Sequence, residues 1–303
     1  MNHEPGVRPF FPPEVVVQVK ALACELPAQT DLPISRFSRQ DLAREVVARG
    51  IVAQISGATI WRWLDQDALR PWQHRSWIFP RDPQFEQKAG RVLDLYQGGW
   101  QDQPLDRDEY VISADEKTSI QARVRLHPTQ PTEPGQAMRV EFEYERGGAL
   151  AYLAAWDVRR AKIFGVCDPT TGIAPFDRLV QHVMRQAPYR QAKRVFWIVD
   201  NGSSHRGQAA CQRLQQKYSN LVLVHLPVHA SWLNQVEIYF SVVQRKVLTP
   251  NDFPCLDAVA KRLLEFQSYY EHIAKPFEWK FTRVELHELL AQLPSPPLQA
   301  LAA

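Results

Sequence analysis

Three acidic residues sit where a phosphoryl-transfer site would need them. Tyr110-Val111-Ile112-Ser113-Ala114 reads as a strand running into Asp115-Glu116-Lys117-Thr118-Ser119, and the apolar run from Arg194 to Val199 delivers Asp200 into Asn201-Gly202-Ser203-Ser204-His205. The third, Glu237, lies in Ser231-Trp232-Leu233-Asn234-Gln235-Val236-Glu237-Ile238-Tyr239-Phe240, with 36 residues between it and Asp200. Carboxylates are hard oxygen donors suited to Mg²⁺, and two such ions ~3.5–4 Å apart stabilise the attacking and leaving oxygens of a displacement at phosphorus. The expectation is a two-ion Mg²⁺ site on a phosphodiester, with Asp115, Asp200 and Glu237 as the metal ligands.

Taken singly, each acid has an ordinary explanation. Asp200-Asn201-Gly202 suits a hairpin turn, Asp115 a strand-end residue paired with Lys117, and Glu237 an exposed position of an amphipathic helix. Their joint placement favours the site. Asn234 is expected to share the helical face of Glu237 and orient the metal or a phosphate, or else to be a polar residue at the helix start. His205 is a supporting residue, against a phosphate or structural to the turn. Glu116 should point to the opposite side of the strand from Asp115 and is left out of the metal set.

The elements that must position these residues follow from periodicity. Strands are predicted over 110–114, 139–144, 150–157, 162–166, 194–199 and 221–226, and a Pro-rich excursion from His127 to Gln136 lies after the first. Helices are predicted over 176–186 and 208–216, then one holding Glu237 with Trp232, Val236, Tyr239 or Phe240 and Val243 as its core stripe, and two more over 256–270 and 282–293. The order of strands and helices gives an α/β fold, a ribonuclease-H-like mixed sheet flanked by helices.

Upstream, Val15, Val19, Leu22 and Leu26 mark one helix, and Leu42, Val46 and Val47 mark a second, capped by Ser38 and ended by Gly50. After a short turn, Ser56 caps a third helix with Ile60, Trp63 and Leu64 facing inward. This reads as an N-terminal all-α helix-turn-helix domain, winged-helix-like, over residues 1–80 with its linker, followed by the catalytic domain over 81–303. Thr59, Trp61 and Arg62 are the groove-facing candidates for DNA binding, with Arg70 and Arg75 on phosphates. The alternative is a small accessory bundle.

Composition narrows the class. An apolar share of 45% and a charged share of 23% are those of a folded chain, and no window reaches the ~18 uncharged apolar residues of a membrane span, so no membrane partner is expected. Cys24, Cys167, Cys211 and Cys255 lack zinc-site spacing and are expected as reduced core residues. Without a secretory signal pattern the chain reads as cytoplasmic.

The segments Asp115-Glu116-Lys117, Asp200 to His205 and Ser231 to Glu237, with Gln244-Arg245-Lys246 after them, resemble bacterial insertion-sequence DDE transposases, in particular the IS-six-thirty branch of the mariner superfamily. The likeness runs from about Pro12 to Leu290 and includes Trp279-Lys280-Phe281-Thr282-Arg283. It implies that Asp115, Asp200 and Glu237 are the catalytic triad of a transposase that uses Mg²⁺ or Mn²⁺ to nick transposon ends and join them into target DNA, with a TA dinucleotide target. Such transposases carry two N-terminal helix-turn-helix units; one is legible here, and Gly6-Val7-Arg8-Pro9 resembles the linker between them. Holding two ends together implies a homodimer on double-stranded DNA, nucleoid-associated when bound. Two rivals are a non-catalytic DNA-binding relic of a transposase, and a simple nuclease of the same fold.

Overall fold

A strand covered on both faces needs successive apolar side chains, and Val195 to Val199 supply them at full burial. A computed structural model describes residues 11–30, 32–74 and 80–293. Two compact units divide the chain, Met1–Ile78 and Phe79–Ala303.

In the first unit, α1 (Pro13–Ala23), α2 (Arg39–Ala48) and α3 (Gly57–Gln66) enclose a core of Val19, Leu22, Phe37, Leu42, Val46, Ile60 and Leu64. Ser38 and Asp41 form a full capping box on α2, and Ser56 Oγ accepts from the Thr59 N–H at 3.1 Å to cap α3. Leu26 and Val47, which mark the helices by their apolar spacing, are 63% and 40% exposed, because α1 ends at Ala23 and Val47 turns off the Leu42–Val46 stripe. The α2–α3 connection spans residues 49–56 and turns at Gly50, whose φ of +68° is a conformation that favours glycine.

In the second unit, α4 (Phe85–Tyr96) precedes a small hairpin, β1 (Gly99–Trp100) and β2 (Gln103–Pro104). The main sheet comprises β3 (Glu109–Val124), β4 (Glu145–Asp157), β5 (Lys162–Asp168), β6 (Arg194–Val199) and β7 (Leu221–His225) in the order β5-β4-β3-β6-β7. β3, β4 and β5 pair antiparallel, while β6 and β7 run parallel to β3. Side-chain alternation sorts each strand between two cores. Val111, Ala154, Phe196 and Ile198 pack toward α4, α7 (Val236–Lys246), α8 (Leu256–Glu271) and α9 (Arg283–Ala291); Ile112, Leu153, Trp197 and Val199 pack toward α5 (Ile173–Met184) and α6 (Gly207–Lys217). Among the described residues no helix is long and apolar enough to cross a membrane.

Three expectations need correction. Residues 139–144 are not a strand: they carry only the isolated bridge Gln130↔Arg139, and Phe142 is 93% exposed, because β3 already pairs with a β4 that begins at Glu145. β3 does not stop at Asp115 but continues to Val124 through a register shift between Lys117 and Ile120. The cysteines are free but not core residues, since Cys24 and Cys255 are exposed and Cys167 and Cys211 half-buried.

Asp157 closes the β4–β5 turn. Fully buried, it accepts from the Arg159 and Arg160 N–H groups at 3.1 and 3.0 Å and from Tyr189 Oη at 2.7 Å. Removing it leaves the buried Tyr189 hydroxyl and two N–H groups of the turn without their acceptor, so Asp157→Ala should lower stability by roughly 2–4 kcal/mol, read as a shifted midpoint in urea denaturation.

Candidate active site

The parallel ladder between β3 and β6 ends at the pair Ser113↔Ile198. Two residues farther along each chain stand Asp115 and Asp200, which the strand period carries to the sheet face of Ser113 and Ile198. Glu237 lies in the first turn of α7, whose Val236, Tyr239, Phe240 and Val243 pack against that face. β6 and β7 are parallel and joined through α6, so Asp200-Asn201-Gly202 is not a hairpin turn. Asn201 instead ties the loop down by donating its Nδ2 to the Leu226 carbonyl at 2.8 Å.

The three carboxylates feel one another. Burial pushes Asp115 up to about 7, and the negative charges of Asp200 and Glu237 add to the shift against hydrogen bonds from the Glu116 N–H and Asn234. Glu237 is raised by burial and by Asp200, with Lys117 opposing. Asp200 is held below its ordinary range, first by the hydrogen bond from His205. Among the described residues no group of three or more His, Cys, Asp or Glu side chains stands at metal-holding distances. The trio is close enough to couple electrostatically without being drawn to a common point.

Asn234 reaches the site by a route other than the one expected. It is not on the helix: it ends a 3-10 turn (Ser231–Leu233), and α7 starts at Val236. Almost fully buried, it donates Nδ2–H groups to Asp115 Oδ2 at 2.9 Å and the Ala114 carbonyl at 3.0 Å. Its Oδ1 accepts from Ser113 Oγ, which in turn accepts from the Val236 N–H at 2.9 Å. Asn234 therefore fixes Asp115 and fastens the start of α7 to β3. Trp232, expected in the helix core stripe, sits in the 3-10 turn and is 41% exposed.

His205 is 1% exposed, and both ring nitrogens are engaged by protein groups, so it faces Asp200 and Ser204 rather than a phosphate. Glu116 points away from Asp115, as expected, and accepts from Ser204 Oγ at 3.2 Å. Sequence reasoning missed Lys117, which lines a recess with Glu237, Gln244 and Arg245.

Residues 110–260 match the family model described as DDE superfamily endonuclease. Over that stretch the chain is similar to DDE superfamily endonucleases. Solved structures of similar fold include a pre-cleavage Mos1 transpososome (TM-score 0.55, 16% identity, 96% of this chain and 81% of that chain). Two others are the Mos1 mariner paired-end complex with Mn (TM-score 0.52, 16% identity, 89% and 75%) and the Mos1 strand transfer complex (TM-score 0.51, 13% identity, 96% and 79%). The likeness shows a shared ribonuclease-H-like fold. No curated protein matches the chain significantly in sequence.

The donor set of the site fits a hard divalent cation. It offers carboxylate oxygens without thiolate or free imidazole, and Asp200 keeps Oδ2 clear of hydrogen bonds from the described residues.

In the N-terminal unit, Trp61 is 41% exposed and Arg62 and Arg70 are exposed. Thr59 is half-buried, its hydroxyl 3.0 Å from Ser56 Oγ and accepting from Arg62 at 3.2 Å. Arg75 lies outside the described residues, as do Gly6 to Pro9.

Proposed function

We propose that this chain is a DNA transposase that cleaves transposon ends and transfers the strands into target DNA, with Asp115, Asp200 and Glu237 as its catalytic metal ligands. The observation that carries the reading is the register of β3 and β6, which sets Asp115 beside Asp200 on the face where α7 presents Glu237. Structures of like fold include Mos1 paired-end complexes solved with Mn and with Mg and a Mos1 strand transfer complex. A bound Mg²⁺ or Mn²⁺ pair would supply charge for the attacking and leaving oxygens. The chain's own part is to aim the carboxylates: Asn234 fixes Asp115, and the loop after β6 fixes Asp200. On the sequence resemblance, the protein belongs to the IS-six-thirty branch, inserts at TA, acts as a homodimer on double-stranded DNA and works in the bacterial cytoplasm at the nucleoid.

The test supplies precut, labelled end DNA and a target plasmid with Mg²⁺ or Mn²⁺. Joined products that require the cation support the reading. Hydrolysis without joining makes the protein a simple nuclease, and binding without either reaction makes it a relic.

Residues 1–80 are the DNA-binding domain in this reading and 81–303 the catalytic one. Arg62 and Arg70 then contact phosphates. Replacing both with Ala should reduce the slope of log affinity against log salt by about 2, measured by fluorescence anisotropy. An unchanged slope removes them from the DNA interface.

A further inference from the structure

Asp200 ends a chain of buried polar groups that phosphoryl transfer does not itself employ. Its Oδ1 accepts from the Gly202 N–H at 2.8 Å and from His205 Nε2 at 2.5 Å. The other ring nitrogen, Nδ1, lies 2.8 Å from Ser204 Oγ, and that hydroxyl donates to Glu116 Oε1 at 3.2 Å. Ser204 and His205 are 3% and 1% exposed. The chain begins on the α5/α6 side of β3, where Glu116 points, and ends at the carboxylate beside Asp115.

Each link is braced from behind. The Ser204 carbonyl accepts from Arg213 at 2.7 Å, and Arg213 pairs with Asp177 of α5 at 3.3 Å. The His205 carbonyl accepts from His225 Nε2 at 2.7 Å, and the Phe176 ring lies 4.7 Å from the imidazole. The close approach depends on Gly202, where a Cβ would stand 2.9 Å from Asp200 Oδ1 and 3.1 Å from the His205 ring. Burying a hydroxyl and an imidazole is costly unless they are fully hydrogen-bonded, so this loop commits its polar groups to one carboxylate oxygen. Both fixed donors close on Oδ1. The opposite oxygen, Oδ2, is left turned away from them on a side chain that is 43% exposed.

We propose that Glu116, Ser204 and His205 are positioning residues that hold Asp200 with Oδ2 presented as the metal-binding atom, so that this chain sets how tightly the site takes its divalent cation. The proposal rests on the reading of Asp200 as a metal ligand. Groups that orient a metal's ligands typically govern affinity by about 10- to 100-fold. His205 carries the largest share, because it alone bridges the chain to Asp200.

The experiment is calorimetric titration of Mn²⁺ into the full chain without DNA, for wild type, Asp200→Asn, His205→Ala, His205→Gln and Ser204→Ala. The expected Kd rises about tenfold or more in His205→Ala and less in Ser204→Ala. His205→Gln, whose amide N–H replaces Nε2–H, should recover most of the loss. A residue that mattered only to the fold would lower the melting temperature without this rescue. If His205→Ala melts early, Ser204→Ala and His205→Gln carry the comparison. Loss of Mn²⁺ binding in Asp200→Asn with an unchanged Kd in the His205 and Ser204 variants overturns the proposal and leaves the metal-site reading standing. Binding untouched in all of them overturns both.

Discussion

Asp200→Asn is expected to reduce end cleavage and strand transfer by about 10³-fold or more while leaving DNA binding in place. The substitution keeps the shape of the side chain and removes an anionic oxygen from the edge of the β3·β6 ladder. The fold should tolerate the change, because relief of the repulsion that raises Asp115 and Glu237 offsets part of the loss of the charged hydrogen bond from His205 that holds Asp200 low. The same loss is expected for Asp115→Asn and Glu237→Gln, and combining any two should add little, since the three act as one unit. Single-turnover cleavage of labelled end DNA, with anisotropy for binding and thermal melting for folding, separates these effects. Activity within about tenfold of wild type in Asp200→Asn would remove that residue from the chemistry.

The second large effect is on stability in metal-free buffer. Asp115 has an ordinary value of 3.8 and is raised to about 7 in the folded protein. Between those values the folded chain holds a proton that the unfolded chain has released. The contribution is therefore fully present at acid pH and is lost as pH rises through about 7, up to about 4 kcal/mol before screening by solvent. Melting temperature in EDTA should fall by several degrees between about pH 5 and pH 8 because of this group. Glu116, Glu237 and Asp157 are also raised by burial and push in the same direction, so the informative quantity is the difference from Asp115→Asn. That variant should show a flatter profile and a higher melting temperature than wild type at about pH 8. Added Mg²⁺ should restore wild type there and do little for the variant. Parallel profiles for the two proteins would contradict the account.

Much of this architecture was legible because periodicity reports burial. The run Arg194 to Val199 became β6 with those bounds, and Leu221 to Leu226 became β7 apart from its last residue. The same logic failed for 139–144, whose alternating Val140, Phe142 and Tyr144 look like a strand but have no sheet face to cover. It also failed for the far half of β3, where the charged Asp115-Glu116-Lys117 reads as a strand end, although neighbours on both sheet faces receive those side chains. Helical spacing puts Asn234 on a helical face it does not occupy; what brings it to Asp115 is a hydrogen bond across 119 residues of sequence. The chain from Glu116 to Asp200 was equally hidden, since its Ser204–Glu116 link spans 88 residues. Residue types and strand ends identify candidate ligands, whereas their supports depend on contacts that sequence spacing does not encode.

The most direct measurement is anomalous scattering from crystals of the full chain soaked in Mn²⁺. The account predicts a peak about 2 Å from carboxylate oxygens of both Asp115 and Asp200, on the side facing Glu237. Crystals soaked at a Mn²⁺ concentration that supports cleavage in solution, yet showing no peak at these carboxylates, would contradict it.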